Sequence, residues 1–218
     1  MDQQSIDAVI RERRTVKVLA DESLPMDPGV ESQLEELLET AGWAPFHRAC
    51  DPVHREGRAD GLDGIEPWRF YVLPGESCRK LVCHVESLPE AGKIPSMLRA
   101  ASGLVLATWL PNPPAGDLPA GSLFQPTLAN MEHLAAASAA VQNLLLAATS
   151  RGIPNYWSSG GVLRQPEQLE RLGIPGQELL LGAIFLFPRR TAGGEVVGSK
   201  LRAHRTPPAH WSRFIELV

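Results

Sequence analysis

The segment from Leu128 to Ser150 constrains the fold more than any other stretch of this 218-residue chain. Met131, Leu134, Ser138, Val141, Leu145 and Ala148 recur at helical spacing, and alanines fill much of the remainder. The pattern predicts a long helix that is apolar almost all round, and such a helix belongs at the centre of a protein or of a dimer. Gly152 follows as its C-cap. Further on, "ELLLGAIFLFP", Glu178 to Pro188, is the most hydrophobic stretch of the chain and predicts a central strand.

Other elements can be placed around this pair. Ile6, Val9 and Ile10 give a short apolar stripe behind an N-cap at Ser5, so residues 5 to 13 predict a helix. Residues 30 to 42 predict a second helix with Val30, Leu34, Leu37, Leu38 and Ala41 on one face. "WRFYVLP" at 68 to 74 and "GLVLATWLP" at 103 to 111 predict buried strands closed by proline. Helices and strands are mixed, and neither a repeat nor a linker divides the chain, so residues 1 to 218 read as a single domain. Two stretches break the pattern. Residues 48 to 64, "RACDPVHREGRADGLDG", are polar and aperiodic and predict an inserted, mobile surface loop. Residues 111 to 126 hold five prolines and must be irregular.

Composition excludes several classes of function. A net charge of -4 argues against a nucleic-acid-binding chain, which would carry a concentrated basic face. No apolar run reaches the roughly 20 residues of a membrane span, and "MDQQSIDAV" lacks the regions of a signal peptide. The three cysteines, Cys50, Cys78 and Cys83, are an odd number in a chain too long to depend on disulfides. A reducing cytoplasm is the expected location.

Familiar catalytic signatures are missing. "GGEVVGSK" at 193 to 200 reverses the Gly-Lys-Ser/Thr order that a phosphate-binding P-loop requires. There is no Gly-x-Ser-x-Gly nucleophile elbow and no dinucleotide glycine fingerprint. Cys50, His54 and Cys83, with His47 and His84 nearby, are zinc-type ligands without a Cys-x-x-Cys or helical His-x-x-x-His spacing, so no metal is expected.

Six short motifs do stand in an informative order. They are "RRTVK" at 13 to 17, "WAPFH" at 43 to 47, "EPWRFYVL" at 66 to 73, "AAVQNLLLAATSRGI" at 139 to 153, "YWSSGG" at 156 to 161 and "HRTPP" at 204 to 208. Together the chain resembles the flavin-dependent nitroreductase family, in its Ala-Pro-x-His branch. That resemblance implies an α+β fold with a central, mostly antiparallel sheet flanked by helices, assembled as an intertwined homodimer with FMN at the interface. Arg13, Arg14 and Thr15 would match the family's phosphate-binding Arg-Arg-Ser, and Lys17 would lie near the flavin pyrimidine ring. Trp43 and His47 would reach FMN from the partner subunit. Trp157, Ser158, Ser159 and Gly160 would lie beside the isoalloxazine ring, and Arg205 would close on the phosphate.

The chemistry of these residues suits such roles. A planar guanidinium binds a phosphate monoester in bidentate fashion, which favours Arg13 and Arg205 over lysines. A cation such as Lys17 near the pyrimidine edge stabilises the anionic reduced ring, while Gly160 and Gly161 let backbone approach it. Trp68 reads as structural, and Gln142 and Asn143 as polar residues bonded to backbone or across the dimer. The implied activity is an FMN-dependent oxidoreductase in which NAD(P)H reduces an electron-poor small-molecule acceptor, a nitroaromatic or quinone, by two hydride steps through flavin N5, with no side-chain acid or base.

The chain also departs from the family pattern. Thr15 replaces serine, Ser159 stands where some branches carry glutamate, and an insertion separates His47 from Glu66. The insertion keeps two alternatives open: a flavoenzyme with a dedicated dehalogenation or dehydrogenation, and a non-catalytic flavin-binding protein. A metal-dependent hydrolase built on Cys50, His54 and Cys83 is the third rival.

Overall fold

A computed structural model describes residues 6–217. Its main sheet is antiparallel throughout. The strands are β2 (Trp68–Pro74), β3 (Gly103–Trp109), β4 (Asn155–Ser158) and β5 (Leu179–Leu186), in the spatial order β2-β3-β5-β4. β5 therefore lies inside the sheet, as its unbroken apolar run predicts. A bulge between Ala107 and Thr108 of β3 leaves Leu181 of β5 out of the register. The mixture of helices with an antiparallel sheet is the α+β class that the family resemblance implies.

Both faces of the sheet are covered. Leu104, Leu106, Ala183 and Phe185 point to one side, where they pack with α3 (Gly75–Val85) and α4 (Ile94–Ala100). Their neighbours Val105, Ala107, Ile184 and Leu186 point to the other, against α2 (Val30–Gly42) and α5 (Leu128–Ser150). The alternation of period two thus feeds two cores, which is why β3 and β5 carry no polar face. Burying one leucine-sized side chain stabilises by roughly 1.5–3 kcal/mol, so these strands anchor the domain core.

α5 is the helix expected over 128 to 150. Thr127 caps it by accepting from the Asn130 N–H at 3.2 Å. Gly152 ends it with φ +68°, and the Ile153 N–H reaches back to the Ala148 carbonyl at 2.9 Å. Ala136, Ala137, Ala140, Ala147 and Ala148 are buried and let the helix sit close to the sheet, whereas Leu128 and Met131 are exposed. No helix among the described residues is long and apolar enough to cross a membrane.

Several expected boundaries shift slightly. The first helix, α1, spans Ile6–Glu12, and the Ser5 cap lies outside the described residues. The strands expected over 103 to 111 and 178 to 188 are shorter at one or both ends, where proline withdraws its N–H from the ladder. A second sheet escapes the sequence pattern altogether: β1 (Val16–Leu19) pairs antiparallel with β6 (Glu195–Gly198), Val16 opposite Gly198. Half of the sequence Gly193 to Lys200, superficially like a phosphate loop, is this strand. α6 (Pro166–Arg171) completes the helices.

The insertion at 48 to 64 lies at the surface, as expected, but is pinned to the core at several points. Cys50 and His54 are buried, and the His54 ring bonds the Pro111 carbonyl at 2.7 Å. Arg58 reaches Glu178 just before β5 at 2.7 Å, and Arg69 of β2 donates to the carbonyls of Leu62 and Gly64. Buried polar groups demand partners, and here the loop is held by supplying them. His54 and the Cys50 thiol are thereby engaged in packing, and among the described residues no three of His, Cys, Asp and Glu come together as a metal centre.

Candidate functional site

The register of the small sheet brings the two ends of the chain together. Because Val16 stands opposite Gly198, the residues leaving β6 run back beside Arg13 and Thr15. Arg13, Arg14, Thr15, Ser199, Arg202 and Arg205 line a hollow of about 110 Å³ with no carboxylate in its wall. Burial, with the nearby charges of Arg205 and then Arg202, holds the Arg13 guanidinium below its ordinary pKa. Gathered guanidinium groups repel one another, and the hollow has the charge and donor types that suit a small anion. The hydroxyls of Thr15 and Ser199 add donors of the right type. Arg14, although exposed, lines this hollow too.

Arg202 carries no signal in the sequence motifs, yet it ties down one wall of the hollow. Its guanidinium donates to the carbonyl of Arg13 at 2.7 Å and to that of Arg11. It thereby ties the C-terminal segment to the end of α1, whose last carbonyls lack helical partners. An arginine in an exposed turn has no apolar pattern to betray it. Only the pairing of β1 with β6 reveals its position.

Lys17 lies one strand position beyond this hollow, and its ammonium rests over the Tyr156 ring, 4.7 Å from the centroid. β4 continues through Trp157 and Ser158 into Ser159 and Gly160. Trp157 is half-buried against the α2 and α5 side of the sheet and covers Gly182, where a Cβ would overlap its Nε1. Ser158 is buried, Ser159 exposed, and Gly160 adopts φ +106°, a conformation that favours glycine. The Gly160 N–H turns inward to Ser158 Oγ at 3.2 Å.

Arg164 fixes this turn. It donates twice to the Ser159 carbonyl, at 3.0 and 2.7 Å, and once to that of Leu180. Burial lowers its pKa, an expense offset by these three bonds to carbonyl oxygens. Behind it opens a larger, mainly apolar hollow of about 640 Å³, walled by Leu123, Leu169, Ile174 and Leu180 among others.

Trp43 and His47 are not brought to the arginine hollow within one chain. Trp43 is 83% exposed and lines a separate hollow with Ile6, Val9, Glu39 and Asn143, while His47 is exposed. Asn143 thus faces that hollow from α5. Trp68 is buried and meets Phe46 edge to face, as a structural residue should. The segment from Ser199 to Leu217 has no buried side chain, and its Trp211, Phe214, Ile215 and Leu217 stand open to solvent.

Comparison with known proteins identifies the family. A family profile described as Nitroreductase family matches residues 10–186. A Bacillus subtilis (strain 168) protein, named "Putative NAD(P)H nitroreductase YfhC", is 27% identical over 176 residues, covering 78% of this chain and 77% of its own. The crystal structure of a nitroreductase-like family protein from Bacillus cereus superposes with a TM-score of 0.67 at 26% identity, covering 99% of this chain and 98% of that one. A protein from Desulfovibrio desulfuricans, solved in complex with FMN, shares the fold at a TM-score of 0.58 and 22% identity, covering 99% of both chains. With a profile match that runs over most of its length, this chain belongs to the nitroreductase family.

Proposed function

We infer that the protein is an FMN-dependent oxidoreductase in which NAD(P)H reduces an electron-poor acceptor of nitroaromatic or quinone type. The observation that carries this reading is the convergence of Arg13, Arg202 and Arg205 on a hollow free of carboxylates, with Lys17 and the Gly160 turn on adjoining elements. The donor set fits a flavin mononucleotide: guanidinium groups for the phosphate and an ammonium for the pyrimidine edge. When bound, FMN supplies the centre that accepts a hydride from the nicotinamide and passes it to the acceptor.

The chain's own residues then have definite tasks. Arg13, Arg14 and Thr15 hold the phosphate with Arg205, while Arg202 keeps the C-terminal segment in place. Lys17 favours negative charge on the reduced ring. Trp157, Ser158, Ser159 and Gly160 form the wall beside the isoalloxazine, fixed by Arg164. No side chain serves as a catalytic acid or base, so orientation and electrostatics carry the acceleration.

The same reading makes the protein an intertwined homodimer. α5 presents an apolar outer face with Leu128 and Met131 exposed, and the C-terminal apolar residues have nothing to cover them in one chain. In a dimer each copy's Trp43 and His47 would reach the flavin of the other. Three unpaired cysteines suit the cytoplasm. The pinned insertion favours a second reading, a same-fold enzyme with a dedicated acceptor, because an ordered loop selects substrates better than a mobile one.

Anaerobic mixing tests the proposal. NADH or NADPH should bleach the visible absorption band of the FMN-loaded protein, and a nitroaromatic or quinone should restore it. A loaded protein that neither nicotinamide reduces overturns the oxidoreductase reading.

A further inference from the structure

Lys17 does not stand alone on its strand. Its ammonium caps a column of aromatic rings: Tyr156 lies beneath it at 4.7 Å, Tyr156 stacks on Phe185 with centroids 6.5 Å apart and planes 22° apart, and Phe185 stacks on Phe187 at 6.2 Å and 9°. Phe185 and Phe187 are fully buried in the core cluster that also receives Val18, the neighbour of Lys17 on β1. The lower part of the column is therefore as rigid as the core itself, and its top ring presents a negative π-face to a cation. Lysine otherwise carries a flexible four-carbon stem that samples many rotamers.

We propose that Tyr156 is a positioning residue that holds the Lys17 ammonium in one place through its ring face, and through Lys17 sets how strongly the site prefers reduced over oxidised flavin. The proposal rests on the reading of Lys17 as the cation at the flavin pyrimidine edge. Tyr156 need not touch the cofactor. Its contribution lies in preorganisation: a charge already fixed where negative charge develops need not be gathered at the moment of reduction. The phenol oxygen plays no part, so the ring rather than the hydroxyl is the functional feature.

The test measures the midpoint potential of the bound flavin and, separately, the dissociation constant of oxidised FMN from the apoprotein. Lys17→Met should lower the potential. Tyr156→Leu should shift it in the same direction, with preference for reduced flavin falling about 5-fold, the size expected of a cation–π contact near 1 kcal/mol. Tyr156→Phe should restore the wild-type value. Adding Tyr156→Leu to Lys17→Met should change the potential no further, because the ring acts only through the lysine. Should Tyr156→Leu disturb the stack on Phe185, fluorinated phenylalanines at 156 keep the shape while draining the ring face, and the potential should fall with each fluorine. An unchanged potential across that series, or an equal shift with Lys17 already removed, overturns the role of Tyr156 alone. A loaded protein whose potential ignores Lys17→Met overturns the placement of Lys17, and the inference with it; failure to bind FMN at all overturns the flavin reading itself.

Discussion

The Arg58 guanidinium and the Glu178 carboxylate meet at 2.7 Å where only 8% and 0% of their side chains reach solvent. Tyr71 and Thr108 donate to the same carboxylate, and Asp60 pairs with the other side of Arg58. A buried pair of this kind adds modest net stability, but breaking it strands a charge. Arg58→Met should therefore destabilise the protein by about 3–5 kcal/mol, and Glu178→Met by a similar amount, while the double variant should lose less than the sum. Urea unfolding at neutral pH measures all three, and additive losses would show that the residues are not coupled.

The same network sets a pH dependence at both ends of the scale. Burial, opposed by the Arg58 hydrogen bond and reinforced by the charge of Glu178, pushes the Tyr71 phenol above its ordinary range. A raised folded-state value contributes stability below the unfolded value of roughly 10, and that contribution fades as pH climbs because the unfolded chain releases its proton first. Denaturation midpoints should fall above about pH 10, and the fall should be shallower in Tyr71→Phe. At the acid end the hydrogen bond from Arg58 lowers the Asp60 carboxyl to about 2. A depressed value gives a contribution present above roughly pH 4 and lost toward the folded value, so the protection of amides in residues 48 to 64, relative to their intrinsic exchange rates, should fall over that acid window.

Thiol chemistry separates the three cysteines. Cys83 is exposed, Cys50 and Cys78 are buried, and burial pushes the Cys78 thiol up to about 12. A thiol that is neither exposed nor ionised is inert. Ellman's reagent should find one rapidly reacting thiol in the native protein and three after denaturation.

Gly182 leaves room for Trp157. A Cβ at 182 would overlap Trp157 Nε1 and lie 2.8 Å from the Ser158 carbonyl oxygen. Gly182→Ala should cost about 1–3 kcal/mol through overpacking and weaken FMN binding by displacing the 157 to 160 wall. Calorimetry and a flavin titration on the same preparation check both halves.

Much of the frame was legible in residue order. α5, α2, β2, β3 and β5 are long, apolar and periodic, and burial of those periods is what forms them. β1 and β6 were illegible because each spans four residues, and β6 is largely exposed, so neither shows an alternation strong enough to read. The docking of the insertion was hidden for a different reason. Arg58 and Glu178 are far apart in the chain, each looks like an ordinary surface charge, and only the bulged pairing of β3 with β5 shows that Thr108 and Glu178 share one place. At the site, the family motifs pointed to Arg13, Arg14, Thr15 and Arg205, which the fold does bring together. They said nothing of Arg202, Arg164 or Tyr156, whose work is to hold other residues in position.

A hollow between Arg13 and Arg205 that receives the phosphate of FMN must distinguish FMN from riboflavin. The two ligands share the same ring and differ in that phosphate. Charge-assisted hydrogen bonds contribute about 1.5–3 kcal/mol each, so two of them correspond to roughly 100-fold or more in affinity. Equilibrium titration of the apoprotein should show FMN binding at least about 100-fold tighter than riboflavin, with the gap largely closed in Arg13→Ala. Equal affinity for the two ligands, or a gap that Arg13→Ala leaves intact, would contradict the account.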